Sequence, residues 1–136
     1  MTESEAATFV NRFEAAWTGR NIAAFISLWH AEGQLRSPIY DRVIHGSEIG
    51  ALNELLNAAA PHLTWRLLDW TWRGDTVVIE WENSNRYGEQ TLTWRGVDKL
   101  TLKAAQILEE IVYVDTVPLH AMREGKRFDP LVRMPK

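Results

Sequence analysis

Residues 89–119 read EQTLTWRGVDKLTLKAAQILEEIVYVDTVPL, and the alternation within them decides the fold. Side chains on a β-strand point in turn to its two faces. In the first half, Leu92, Trp94, Asp98, Leu100 and Leu102 share one face with Gly96. Thr91, Thr93, Arg95, Lys99, Thr101 and Lys103 share the other, interrupted only by Val97. After a connection near Lys103–Ala105, the second half places Ile107, Ile111, Tyr113 and Asp115 in one row. The stretch is a long β-hairpin whose apolar side carries two acids. Asp98 lies among Trp94, Leu100 and Leu102, where an ionised carboxylate is costly unless paired or hydrogen-bonded. Asp115 ends the apolar row of the second arm. Inward acids on a packed sheet mark where chemistry belongs.

Upstream of the hairpin the period changes. Ala6, Phe9, Val10, Phe13, Ala16 and Trp17 repeat at helical spacing over residues 2–18, with Thr2 and Glu5 in capping-box register and Gly19 placed to end the helix. Asn21 caps a second helix with Ile22, Phe25, Ile26 and Trp29 as its buried stripe, expected to stop near His30–Gly33. Gln34–Ser37 reads as a short strand halted by Pro38, and Ile39–His45 as its returning partner. Ser47 then caps a third helix, with Ile49, Leu52, Leu55, Leu56 and Ala59 buried and Pro61 ending it. From Leu63 the period becomes two: Leu63–Arg73 and Thr76–Arg86 are strands joined by a turn at Gly74-Asp75. Three N-terminal helices packed on a curved, mixed but mainly antiparallel sheet enclosing a pocket make an α+β fold. Residues 1–136 form one domain, and the basic tail 118–136 is expected to lie over a neighbouring surface or to be partly loose. Leu68, Trp70, Trp72, Val78, Val112 and Val114 fall opposite the interior by simple parity. That apolar surface predicts a homodimer through the sheet.

Composition narrows the function. A net charge of −3 gives no basic footprint for nucleic acid, and no apolar run approaches the ~20 residues of a membrane span. The acidic, helix-like start MTESEAATFVNRF is unlike a secretory signal, so the expected location is cytoplasmic. With no cysteine, disulfides, thiol catalysis and cysteine-bound metals are excluded. No histidine pair has the spacing of a metal site, so no metal is expected. Seven tryptophans suit core and interface filling, or stacking on a ligand.

Several segments together carry a resemblance: FVNRFEAAWTGRN, FISLWHAEGQL, the Ser37-Pro38 to His45-Gly46 step, and GVDKLTL with ILEEIVYVDTVPL. The chain resembles the nuclear transport factor 2-like superfamily, in its SnoaL-like polyketide cyclase and ketosteroid isomerase branches. The resemblance implies a cone-shaped α+β barrel with a deep apolar pocket, often dimeric. It also implies a superfamily of isomerases, cyclases, dehydratases, hydrolases and non-catalytic members, so fold alone does not settle function. Carried over residue by residue, the isomerase base position is Ser37, the oxyanion-donor tyrosine is Phe13, and the second oxyanion donor is Asp98. One of three parts is retained, which argues against steroid-type isomerisation. The Tyr-x-Asp of the cyclases matches Tyr113 and Asp115.

The candidate catalytic residues are therefore Asp98, Asp115 and His30. Asp98 either donates a proton from a desolvated carboxyl or accepts a bond from a tryptophan or tyrosine. Asp115 either works in the pocket or caps the turn into Pro118. His30 either faces the pocket mouth as a base or complements a helix C-terminus. Phe13, Trp17, Ser37, Tyr40, Trp81 and Tyr113 are the expected ligand-binding positions. Two functions stay open. One is cofactor-independent acid/base chemistry on a small hydrophobic carbonyl compound, of isomerase, cyclase or hydrolase/lyase type. The other is a non-catalytic dimeric binding or accessory protein. Two titratable groups converging on one cavity favour the first; a lone acid bonded to tryptophan or tyrosine favours the second.

Overall fold

Thr2 opens helix α1 (Glu3–Gly19) with a reciprocal capping box: its hydroxyl accepts from the Glu5 amide at 3.2 Å, and the Glu5 carboxylate accepts from the Thr2 amide at 2.7 Å. The computed structural model describes residues 1–125 and Pro135. Helix α1 buries Ala6, Phe9, Val10, Phe13 and Ala16, the face its spacing defines. Its left-handed C-cap is Arg20 (φ 51°), not Gly19. That conformation costs an ordinary residue roughly 1–2 kcal/mol. The guanidinium offsets it by closing the far end of α3, donating to Ala60 O and Pro61 O, each at 2.8 Å, and to Asn57 Oδ1 at 3.1 Å.

Helix α2 (Ile22–Leu28) is capped by Asn21 and stops earlier than its sequence pattern suggests. Trp29 is already extended and begins strand β1 (Trp29–Arg36). The chain then makes a turn at Ser37–Tyr40 and returns only as the two-residue strand β2 (Ile44–His45). Ser47 does not cap. A single 3-10 turn, Gly46–Glu48, leads into α3 (Ile49–Ala59), and the Glu48 carboxylate accepts from the His45 amide at 2.8 Å. Strands β3 (Thr64–Arg73), β4 (Thr76–Tyr87), β5 (Gln90–Lys103) and β6 (Gln106–Val114) follow as an antiparallel meander. A short fourth helix, α4 (Val117–Arg123), occupies the start of the expected tail. Residues 126–134 and 136 of that tail lie outside the described residues.

The six strands run in the order β2-β1-β6-β5-β4-β3, with β1 and β6 parallel and the other neighbours antiparallel. The fold is α+β with a mixed sheet that stays open, β2 and β3 being its edges. Helix α1 packs on β3 and α2 on α3. At one end of the inner face Val77, Ile79, Leu100 and Ile107 are fully buried with Phe9 and Val10. No helix among the described residues is long and apolar enough to cross a membrane.

Two β-bulges correct the simple parity. On β6 Ile107 faces Leu102 and Glu109 faces Thr101, so Leu108 is an extra residue. An extra residue flips every later side chain to the other face. Glu110, Val112 and Val114 therefore turn inward, and Ile111, Tyr113 and Asp115 do not. On β3 the register steps from Leu67–Trp81 to Asp69–Glu80, leaving Leu68 extra. Trp70 and Trp72 thereby join the inner face and pack on the core, as do Val112 and Val114. Of the residues expected at a dimer surface, Val78 alone keeps its outward place in the ladder. It shares that face with Val97, Ile111, Tyr113 and the ion pairs of Glu82 with Arg66 (2.7 Å) and Arg95 (3.0 Å).

Candidate functional site

Along the inner face of β4 the side chains change character: Val77, Ile79 and Trp81 give way to Asn83 and Asn85, all buried. Beside them on β5 run Leu100, Asp98, Gly96 and Trp94, in register with Val77, Ile79, Trp81 and Asn83. The apolar half closes against α1. The polar half faces a cavity of about 680 Å³ walled by α1, α2, α3, the Ser37–Tyr40 turn and α4. Its aromatic wall is held by edge and stacking contacts: Trp17 stacks on Trp65 at 5.9 Å between centroids and meets Phe25 edge-on at 4.9 Å, and Phe13 meets Trp65 edge-on at 5.8 Å. Such pairs fix ring positions beyond what area burial provides.

Two carboxyls meet in this cavity. Asp98, 2% exposed, pairs in register with Val112, and Glu110, 6% exposed, pairs with Leu100. They are diagonal neighbours on one face of adjacent strands, a separation that side chains can bridge. Burial pushes Asp98 up to about 6, while the Trp81 indole and Glu110 carboxyl beside it favour its ionised form. Glu110 rises well above the usual carboxylate range, first through burial and then through the negative charge and hydrogen bonding of Asp98. Like charges in a dry site cannot both ionise cheaply, so the pair keeps a proton that passes between two oxygens. Both carboxyls are thus held above the usual carboxylate range by burial. Tyr40 lines the same cavity, and burial together with Glu110 pushes its phenol up to about 12, so it stays protonated.

The expected site residues fall into two groups. Asp98, Phe13, Trp17, Ser37, Tyr40 and Trp81 all line the cavity. Asp115, Tyr113 and His30 do not. Asp115 is exposed and its carboxylate accepts from the Val117 amide at 3.0 Å, fixing the entry to α4. Tyr113 is 57% exposed on the outer face, carried there by the Leu108 bulge. His30 sits in β1, where Nδ1 accepts from the Glu32 amide at 3.1 Å. Glu110 is the residue that simple parity misses. A signal for it exists, since Glu109 and Glu110 are consecutive on a strand and one of them must face inward. His120 and Arg123, on α4, also line the cavity.

An open, cone-like α+β fold with a carboxyl pair in an apolar cavity defines the class. Within that class, residues 10–110 match the SnoaL-like domain family, and the chain belongs to it. No curated protein matches the sequence. Solved structures share the fold at low identity. AclR of Streptomyces galilaeus, a candidate hydroxylase, aligns with TM-score 0.78 at 18% identity, over 96% of this chain and 87% of its own. A candidate SnoaL-like polyketide cyclase from Jannaschia sp. CCS1 aligns with TM-score 0.75 at 18% identity, over 88% and 92%. A protein of ketosteroid isomerase-like fold from Catenulispora acidiphila, in complex with trimethylamine, gives 0.75 at 19%, over 90% and 97%.

Proposed function

We propose that this protein is a small-molecule enzyme that moves a proton on a hydrophobic, carbonyl-bearing substrate, working as an isomerase, cyclase or hydrolase/lyase without a cofactor. The carrying observation is the Asp98–Glu110 pair, two titratable groups converging on one apolar cavity. A base of pKa near the working pH combines a useful ionised fraction with driving force for proton transfer. Asp98 takes the proton from the carbon next to the carbonyl. Glu110, held neutral, returns a proton to the developing oxygen anion or to a leaving group. Tyr40, protonated and lining the same cavity, offers a hydroxyl to the substrate. The family resemblance to cyclases supports the same reading.

A second reading keeps the cavity and drops turnover. It is supported by the Trp81 indole lying beside Asp98, which is what a structural acid needs. Hydrogen–deuterium exchange at the α-carbon of a neutral aryl ketone in D₂O, followed by proton NMR, separates the two. The enzyme reading expects exchange with the native protein, and loss of at least ~100-fold, the low end of general acid–base contributions, in Asp98→Asn and in Glu110→Gln. Exchange with the native protein no faster than in buffer alone favours the binding protein, and catalysed exchange unchanged in both variants removes the pair from the chemistry. We further propose a homodimer through the outer sheet face, seated on Val78, Val97, Ile111 and Tyr113.

A further inference from the structure

Five buried side-chain polar atoms among the described residues have no hydrogen-bond partner: Nε1 of Trp17, Trp81 and Trp94, Oδ1 of Asn83, and Oδ1 of Asp98. All five residues line the one cavity. Native proteins satisfy nearly all buried polar groups, so such a cluster needs an explanation. An indole nitrogen is a donor only. Unlike an amide it cannot be reassigned, so Trp17 and Trp94 lack an acceptor outright, while Trp81 has only the Asp98 carboxylate beside it, outside good hydrogen-bond geometry.

The placement of two of the three is built into the ladder. Trp81 pairs in register with Gly96, and Asn83 with Trp94, so the four form a square on the inner face with Asp98 next along β5. A Cβ at Gly96 would collide with the six-membered ring of Trp81. Glycine there lets the Trp81 indole lie flat across β5, which carries its N–H to the Asp98 side. Trp94 stands at the diagonal corner, its buried N–H likewise without a partner. The charge of the site limits the acceptor. Asp98 is the nearest ionisable neighbour, and the only Lys or Arg lining the cavity among the described residues is Arg123, on α4.

We propose that Trp81 and Trp94 form a two-indole donor site, seated by Gly96, that holds an uncharged carbonyl oxygen of the ligand beside Asp98. The inference rests on the cavity being the substrate site and specifies the ligand: a neutral aromatic-sized ketone or quinone-like compound, rather than a hydrocarbon or a carboxylate. Two N–H donors at that oxygen also stabilise negative charge developing on it during proton transfer. This gives the tryptophans a part that wall-filling does not.

The test uses the full chain labelled with ¹⁵N, and three probes of similar size: 1-tetralone, tetralin and 1-naphthoate. The indole N–H signals of Trp81 and Trp94 are assigned with Trp81→Phe and Trp94→Phe, which keep an aromatic ring and remove the donor. The expected result is downfield movement of both signals with tetralone and not with tetralin. Tetralone should bind about tenfold tighter than tetralin, the advantage of one to two neutral hydrogen bonds, and several-fold tighter than naphthoate. Each Phe variant should shrink the ratio of tetralone to tetralin affinity, whatever it does to the two affinities together. Equal affinity for tetralone and tetralin overturns the proposal, as does equal affinity for naphthoate. So does a Trp81 signal that ignores tetralone but follows the titration of Asp98, since the indole is then already bonded to the acid. The comparison in the native protein needs no variant to fold. It is also independent of α-carbon exchange: ketone binding at the indoles should persist in Asp98→Asn, where the proton-transfer reading expects exchange to stop.

Discussion

Asp98 and Glu110 make the protein's stability depend on pH in an unusual direction. Both hold a proton more tightly folded than unfolded, so the unfolded chain binds fewer protons and stability falls as pH rises. For Asp98 the fall runs from its unfolded value near 3.8 up to about 6. It amounts to on the order of 3 kcal/mol for a rise of that size. Glu110 extends the decline above that window. Glu48 and Glu82, held low by hydrogen bonds from arginines, act oppositely and weaken the fold only as pH drops through the acid range. Maximum stability is therefore expected in mild acid, between these two trends. Asp98→Asn and Glu110→Gln should each raise the denaturation midpoint at pH 8 and flatten its decline above pH 5. Urea melts across pH 4–9 read this directly, and variants less stable than the native chain at pH 8 would contradict it. A site residue whose removal stabilises the fold is what a stability–activity trade-off leaves behind.

At the scale of elements, what could be read from the chain depended on uninterrupted periods. Helix α1, the β4–β5 ladder and the inward place of Asp98 follow a single repeat from end to end. The Leu108 and Leu68 bulges break the period with apolar residues, which carry no composition signal, and each reversed a row. That is why Tyr113 and Asp115 read as inward and Glu110 did not. The α2–β1 junction was blurred for a related reason: Trp29 fits the helix stripe and the strand equally. A cap set by a distant element is equally hidden in local sequence, as at Arg20. Arg20→Ala should lose the bonds to Asn57, Ala60 and Pro61 that tie α1 to α3. The expected cost is about 1–3 kcal/mol, as for bonds made by a charged donor. Thermal melts measure it, and faster amide exchange at the C-terminal end of α3 should accompany it. A melt indistinguishable from the native protein would mean the clamp adds nothing.

For the molecule as a whole, the sequence gives the class of fold but not how its sheet faces are shared. Trp70, Trp72, Val112 and Val114 serve the interior, so the outer face is less apolar than simple parity suggests. It combines Val78, Val97, Ile111 and a 57%-exposed Tyr113 with the Arg66–Glu82–Arg95 ion pairs. Apolar residues at a patch centre with a charged rim are the usual anatomy of an interface. Sedimentation velocity should show a dimer at micromolar concentration, and Ile111→Lys should shift it to monomer without unfolding. An unaffected dimer would place the contact elsewhere, and a native monomer would remove it.

The proposed chemistry requires that Asp98 and Glu110 share a proton in the cavity at neutral pH. Infrared spectroscopy of the carboxyl C=O stretch, with Asp98→Asn and Glu110→Gln to assign the bands, tests it most directly. One protonated carboxyl is expected at pH 7 and should be lost in Glu110→Gln, and a second should appear as pH falls through about 6 and be lost in Asp98→Asn. Both groups fully ionised at pH 5 would contradict it.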